Sequence, residues 1–91
     1  MPLTLRQSTQ FPRDVKRILR QGADLSRLEA LIETLIAQKS IDERYRDRAL
    51  IGNWKGCREC HLQPDWLLIY QIAGNELQLV RTGSHAELFG S

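Results

Sequence analysis

The sequence predicts an α+β domain in which two helices pack on one face of a small, mainly antiparallel sheet, in the order β-α-α-β-β-β. Three observations indicate this fold. Residues 25–36 carry an apolar stripe at helical spacing. Residues 66–72 form a nearly continuous apolar run, which is typical of a central strand covered on both faces. Gly74-Asn75 separates this run from a second strand and favours a hairpin turn. At 91 residues the chain is short enough that we expect one domain, residues 1–91.

The first half of the chain predicts a short strand followed by a helical hairpin. Residues 3–7 alternate well enough for a strand, and Ser8 or Thr9 can cap the helix that follows. Gly22 ends this helix and Asp24 can cap the next one. We expect the apolar residues that recur at helical spacing in the first helix to face the core: Phe11, Val15, Ile18 and Leu19.

The second half predicts strands joined by turns. Residues 39–53 lack a sustained period and are expected to form a polar loop, and residues 84–90 a short tail. Residues 57–62 alternate, with Cys57, Glu59 and His61 on one face and Arg58, Cys60 and Leu62 on the other. With both helices on one face of the sheet, the opposite face is expected to be free to bind a partner.

Positive charge is concentrated near the N-terminus. The formal net charge is +2, yet residues 1–20 contain five basic residues and a single acid. Ten of the thirteen basic residues of the chain are arginine, whose planar fork matches phosphate oxygens. We expect a basic face on the first helix that binds nucleic acid or an acidic protein, with an ordinary solvated surface as the alternative. Its members are Arg13, Lys16, Arg17 and Arg20.

The sequence argues against export and against membrane insertion. No apolar run approaches the ~18 residues that cross a bilayer, and the N-terminus has no signal-peptide pattern. We therefore expect a cytoplasmic protein.

Cys57-Arg58-Glu59-Cys60-His61 matches the C-x-x-C-H pattern of covalent haem attachment. The context does not support haem, because the only methionine is Met1 and no export signal is present. Zinc is a second alternative, with His85 as the fourth ligand, but Cys57 and Cys60 point to opposite faces of a strand. We expect two reduced cysteines and neither a metal nor another cofactor.

Four side chains could perform acid–base chemistry. Glu59 and His61 share one face of a strand, Asp65 follows closely, and His85 is the only other histidine. Together with arginine they suffice for RNA cleavage by internal transphosphorylation, in which one group takes the 2′-hydroxyl proton and another protonates the leaving oxygen. By themselves the residues leave the alternative open that both histidines are ordinary surface or core residues.

Three segments resemble the YafQ-type toxins of the RelE/ParE superfamily, the toxin halves of bacterial type II toxin–antitoxin pairs. They are Gly52-Asn53-Trp54-Lys55-Gly56, His61-Leu62-Gln63-Pro64-Asp65-Trp66-Leu67-Leu68-Ile69-Tyr70 and Arg81-Thr82-Gly83-Ser84-His85-Ala86-Glu87-Leu88-Phe89-Gly90. These segments cover about half of the chain, and the combination of the second and third is specific to the family.

The resemblance implies a RelE-like fold. In function it implies a ribosome-dependent mRNA endoribonuclease that is inhibited by a cognate antitoxin, which we expect to be acidic because this chain is basic. His85 matches the position of the main acid, and the family also implicates His61 and Asp65. Glu59 stands where relatives carry aspartate. Phe89 matches the terminal aromatic residue, which could stack on a base.

One position departs from the family pattern. The family's Tyr-x-Asp-His segment is Tyr45-Arg46-Asp47-Arg48 here, so that Arg48 replaces a histidine. Arginine is a poor general base but can neutralise phosphate, as we also expect of Arg81. Two alternatives stay open at this stage: a ParE-like toxin that binds a protein such as DNA gyrase without cleaving RNA, and a catalytically weakened homologue.

Overall fold

The computed structural model describes residues 1–90. Within this range the chain forms five strands and three helices: β1 Thr4–Gln7, α1 Phe11–Arg20, α2 Leu25–Ile36, β2 Arg48–Ala49, β3 Arg58–Gln63, β4 Trp66–Ala73, β5 Glu76–Gly83 and α3 His85–Phe89. Two short 3-10 turns, Glu43–Tyr45 and Gly52–Trp54, flank β2. Among these residues no helix is both long enough and apolar enough to cross a membrane.

The sheet has the strand order β1-β5-β4-β3-β2. Strand β4 is central and antiparallel to both β3 and β5, β2 is antiparallel to β3, and only β1 runs parallel to its neighbour β5. This arrangement confirms the predicted mainly antiparallel sheet and the central position of the apolar run. The predicted hairpin is also confirmed, with Gly74 at a φ of 59°, a conformation that suits glycine.

Helices α1 and α2 cover one face of the sheet, as predicted. Their buried residues Phe11, Ile18, Leu28, Leu31 and Leu35 form one cluster with side chains of β3, β4 and β5. The expectation that Leu19 faces this core is wrong, because its side chain is 50% exposed. Asp14 is buried instead. Asp14 and Ile18 are four residues apart and share a helix face, whereas Leu19 is turned by a further ~100°.

The opposite face of the sheet is partly covered, so the prediction that it is free is wrong in part. Leu67 and Ile69 of β4 form a second, smaller buried cluster with Leu88 of α3. The partly buried residues around it are Leu50, Trp54, Cys57 and Val80. An apolar central strand needs cover on both faces, and α3 and the segment before β3 supply it on this one. Cys57 and Cys60 belong to different clusters, which confirms their opposite directions.

Two segments predicted as a loop and a tail contain regular structure. Residues 39–53 include β2, which pairs Arg48 with Glu59 of β3, the first 3-10 turn and the start of the second. Residues 85–89 form α3, closed at its start by a capping box between Ser84 and Glu87. A two-residue strand and a five-residue helix are too short to give a detectable hydrophobic period.

Candidate active site

Three of the four predicted acid–base residues meet at one end of the sheet. His61 lies near the end of β3, Asp65 in the turn before β4, and His85 at the start of α3 after β5. Because β4 is antiparallel to both neighbours, the end of β3, the start of β4 and the end of β5 lie at the same end of the sheet. The topology therefore brings together three residues that are up to 24 positions apart in the chain.

Asp65 holds His85 by two contacts. The Asp65 Oδ1 atom accepts the backbone N–H of His85 at 2.9 Å and lies 2.6 Å from His85 Nδ1. These hydrogen bonds, first from the backbone and then from the ring, keep the pKa of Asp65 below its usual range. An ionised carboxylate only accepts hydrogen bonds, so Nδ1 carries the proton and Nε2 is the nitrogen left for exchange with a substrate.

His61 has a different environment. Its ring centroid is 5.7 Å from that of His85, but its buried Nδ1 has no hydrogen-bond partner in the described chain. His61 therefore lacks the carboxylate that orients His85. Two neighbouring imidazoles in unlike settings suit two different proton-transfer roles.

Phe89 lies one helical turn beyond His85, with 6.4 Å between the ring centroids. The Trp54 ring meets Phe89 edge to face, at 5.7 Å and an interplanar angle of 84°. Phe89 is 37% exposed, so part of its ring remains available to another molecule. The capping box fixes the start of α3, with Glu87 N–H donating to Ser84 Oγ and Ser84 N–H to Glu87 Oε1.

Arg48 and Arg81 lie in one row of residues across the sheet. The strand register pairs Arg48 with Glu59, Glu59 with Ile69 and Ile69 with Arg81. Paired residues share a face, and His61 is two positions from Glu59 on that same face. Glu59 is 1% exposed, and its Oε2 accepts a hydrogen bond from Arg48 Nε at 2.6 Å. The participation of Glu59 in proton transfer stays a prediction, and the contact it makes is with Arg48.

Asp14 is the centre of a charged network near the C-terminal end of β5. It accepts hydrogen bonds from Arg81, Arg17 and the Thr82 backbone N–H. Burial by itself would raise the pKa of Asp14, but these hydrogen bonds outweigh it and the pKa lies below the usual range. A fully buried carboxylate thus stays ionised between two guanidinium groups.

The structure corrects the predicted position of Arg17. Its guanidinium contacts Asp14, the Thr82 carbonyl oxygen and Glu87, and its side chain is only 27% exposed. It therefore does not share the outer face of α1 with the other basic residues. Arg13, Lys16 and Arg20 are exposed there, as predicted.

The cysteines are placed for packing. Burial raises the pKa of Cys60 to about 12, so its thiol stays protonated at neutral pH. Within residues 1–90, no three His, Cys, Asp or Glu side chains are grouped so as to hold a metal ion. The predicted absence of a metal stays a prediction.

Three supporting features of the site were not predicted from the sequence. The Ser84–Glu87 capping box was readable, because Ser-x-x-Glu is a known helix-start pattern. Trp54 had no signal for its contact with Phe89, and Asp14 had none for its contact with Arg81. Both contacts join residues far apart in the chain, which local patterns do not reveal.

Comparison with known proteins places these observations in a family. Residues 3–90 match the family described as "Bacterial toxin of type II toxin-antitoxin system, YafQ". The mRNA interferase toxin YafQ of Escherichia coli is 40% identical over 84 residues, which cover 91% of each chain.

Two solved structures are also similar. The E. coli DinJ-YafQ toxin–antitoxin complex matches with a TM-score of 0.91 at 37% identity, covering 99% of this chain and 100% of that one. A metal-bound toxin from Helicobacter pylori matches with a TM-score of 0.89 at 44% identity, covering 96% of this chain and 99% of the other.

Proposed function

We propose that this chain, which belongs to the YafQ family of type II toxin–antitoxin toxins, is an endoribonuclease that cleaves mRNA on the ribosome and so stops translation. The observation that carries the proposal is the pairing of an Asp65-bound His85 with a second, differently placed imidazole, His61. The mRNA interferase activity named for the E. coli relative supports it.

In the proposed reaction the 2′-hydroxyl oxygen attacks the adjacent phosphorus while the bond from phosphorus to the 5′-oxygen breaks. His61, which is bound by no carboxylate of residues 1–90, takes the 2′-hydroxyl proton. His85 donates the proton on Nε2 to the departing 5′-oxygen, while Asp65 holds Nδ1. The products are a 2′,3′-cyclic phosphate and a 5′-hydroxyl end. Each general acid or base typically contributes ~10²–10⁴-fold in rate.

Arginine supplies the positive charge that the crowded phosphate requires. Arg48 and Arg81 are at the two ends of the row of paired residues that lies beside His61, so that we expect them to reach the phosphate from two sides. Asp14 engages Nε and Nη2 of Arg81, so the remaining guanidinium hydrogens are the ones that would meet phosphate. We assign Glu59 to holding Arg48, and the exposed part of Phe89 to stacking on a base.

The exposed basic residues of this chain indicate partners that carry negative charge. The exposed basic residues Arg13, Lys16 and Arg20 would contact ribosomal RNA at a distance from the chemistry. An acidic antitoxin would cover the Arg48 and Arg81 region, where opposite charge accelerates association. The DinJ-YafQ complex of E. coli supports an antitoxin partner. Because the proposed partners, ribosomes and mRNA, are located in the cytoplasm, we place the activity of this chain there.

The decisive experiment maps new 5′ ends on an mRNA in a purified translation system. The wild-type protein should produce 5′-hydroxyl ends, and His85→Ala should reduce their rate of formation by roughly 10²–10⁴-fold. Glu33→Ala, an exposed substitution on α2 outside the site, is the control and should cleave normally. Full cleavage by His85→Ala would refute the assignment. Growth arrest with DNA damage and no cleavage would favour the gyrase-type alternative.

A further inference from the structure

A groove beside the two histidines carries positive charge that the proposed chemistry does not use. It has a volume of about 750 Å³ and lies between α2, the Glu43–Tyr45 turn and the β3–β4 turn. His61 and His85 line it, together with Arg27 of α2 and Arg44 and Arg46 of the turn. Its size falls within the ~300–1,000 Å³ of typical ligand sites.

These three arginines differ from the others near the site. Among residues 1–90, none of their guanidinium groups lies within ion-pair distance of a carboxylate. Asp24 accepts the backbone N–H of Ser26, and Asp42 accepts that of Arg44. Arg27, Arg44 and Arg46 are all exposed. The groove therefore has an excess of positive charge.

The side of the groove formed by the turn is held in place. The Arg44 guanidinium lies 5.0 Å from the centroid of the Tyr45 ring and donates to the Tyr45 hydroxyl at 3.2 Å. Tyr45 in turn packs against the main core. Arg46 has a φ of 48°, a left-handed conformation that is uncommon outside glycine. A basic turn built on an anchored aromatic ring resembles the mixed arginine and aromatic surfaces that bind single strands.

We propose that this groove binds single-stranded RNA, namely the part of the message that adjoins the scissile phosphate. The inference rests on the proposed function. A strand whose phosphate lies between His61 and His85 must continue over the neighbouring surface, and the groove shares both histidines as lining. Unpaired arginine forks bind phosphate oxygens well, and Arg27 and Arg46 stand on different elements of the groove wall.

The test uses a short 2′-O-methyl RNA, which lacks the attacking hydroxyl and stays intact. Its affinity is measured over a range of salt concentrations for Arg27→Gln/Arg46→Gln. The matched control, Lys39→Gln/Lys55→Gln, also removes two exposed charges but lies outside the groove lining. We expect the groove variant to bind roughly tenfold more weakly at low salt and to lose ~1.4 from the salt slope, about 0.7 for each phosphate contact. The control should behave like the wild type.

Three results would overturn the inference. The first is equal affinity and slope for the groove variant and the control, and the second is no measurable binding of the RNA by the wild-type protein. The third is a variant that loses binding to a polyglutamate peptide but keeps binding to RNA, which would assign the groove to an acidic protein. Cleavage of mRNA by the wild-type protein is measured separately. Failure of the proposal for the groove can thereby be distinguished from failure of the ribonuclease assignment.

Discussion

Asp14 in helix α1 accepts two hydrogen bonds from the guanidinium group of Arg81, which lies 67 residues further along the chain, at 2.7 and 3.2 Å. The contact ties the helical layer to the strand that leads into His85. Arg17 binds the same carboxylate, so a single buried acid sets the position of two arginines.

Replacing Asp14 with Asn should destabilise the fold. The substitution keeps the shape but leaves Arg17 and Arg81 without their counter-charge in a largely buried site. Because both arginines are about a quarter exposed, we expect a loss of about 2–4 kcal/mol, near the lower end for broken buried pairs. Urea denaturation measures it. Asp42→Asn is the matched control, because Asp42 is exposed and asparagine can also cap the 3-10 turn; it should change stability by less than about 0.5 kcal/mol. Equal stability of both variants would contradict the prediction.

The free energy of unfolding should fall as the pH drops below about 4. The pKa values of Asp14, Asp24, Asp65 and Glu87 lie below the ordinary values of 3.8 for Asp and 4.5 for Glu. The unfolded chain therefore binds protons first on acidification, and the stability that these groups contribute at neutral pH is lost between the ordinary and the lowered values. Denaturation at a series of pH values tests this. Asp14→Asn should show a shallower loss than the wild type, and an identical profile would show that Asp14 does not contribute.

Asp65→Asn should slow cleavage without abolishing binding. An amide no longer requires the proton to be on Nδ1 of His85, so a fraction of the rings carries it on the wrong nitrogen. We expect kcat to fall roughly 10- to 100-fold, less than for His85→Ala, because the exposed ring can be solvated by water. Cleavage rates with and without the substitution measure this. NMR of the His85 ring nitrogens should report the mixed tautomers, a change that a merely structural role would not produce.

Glu59→Gln separates the two roles that this carboxylate could have. If Glu59 only holds Arg48, cleavage should stay within roughly tenfold of the wild type, a difference of about 1.4 kcal/mol in activation energy. If it transfers a proton, the loss should approach the ~10²–10⁴-fold of a general acid or base. Arg48→Gln is the companion variant, and it should lower the rate by removing charge from the phosphate. Cleavage assays on both variants decide between the roles.

The layered fold and the residue types of the candidate site could be predicted from the amino-acid sequence. Residues 25–36 and 66–72 carry long apolar patterns, and such patterns depend only on which faces must be buried. The two histidines, Asp65 and the arginines were likewise visible as residue types. Short elements such as β2 and α3 have no detectable hydrophobic period, because their stability comes from pairing and packing on the rest of the molecule; only the Ser84–Glu87 pattern marks the start of α3.

Which of these residues lie close together depends on the tertiary fold. The antiparallel pairing of β3, β4 and β5 brings His61, Asp65 and His85 to one end of the sheet. This register between strands cannot be read from any local sequence pattern. The tertiary fold also turned Arg17 inward to Asp14 and, among residues 1–90, left Arg27 and Arg46 in the groove without an ion pair. The composition gives the number of basic residues. Burial and the position of each carboxylate decide which of these basic residues are available to bind RNA.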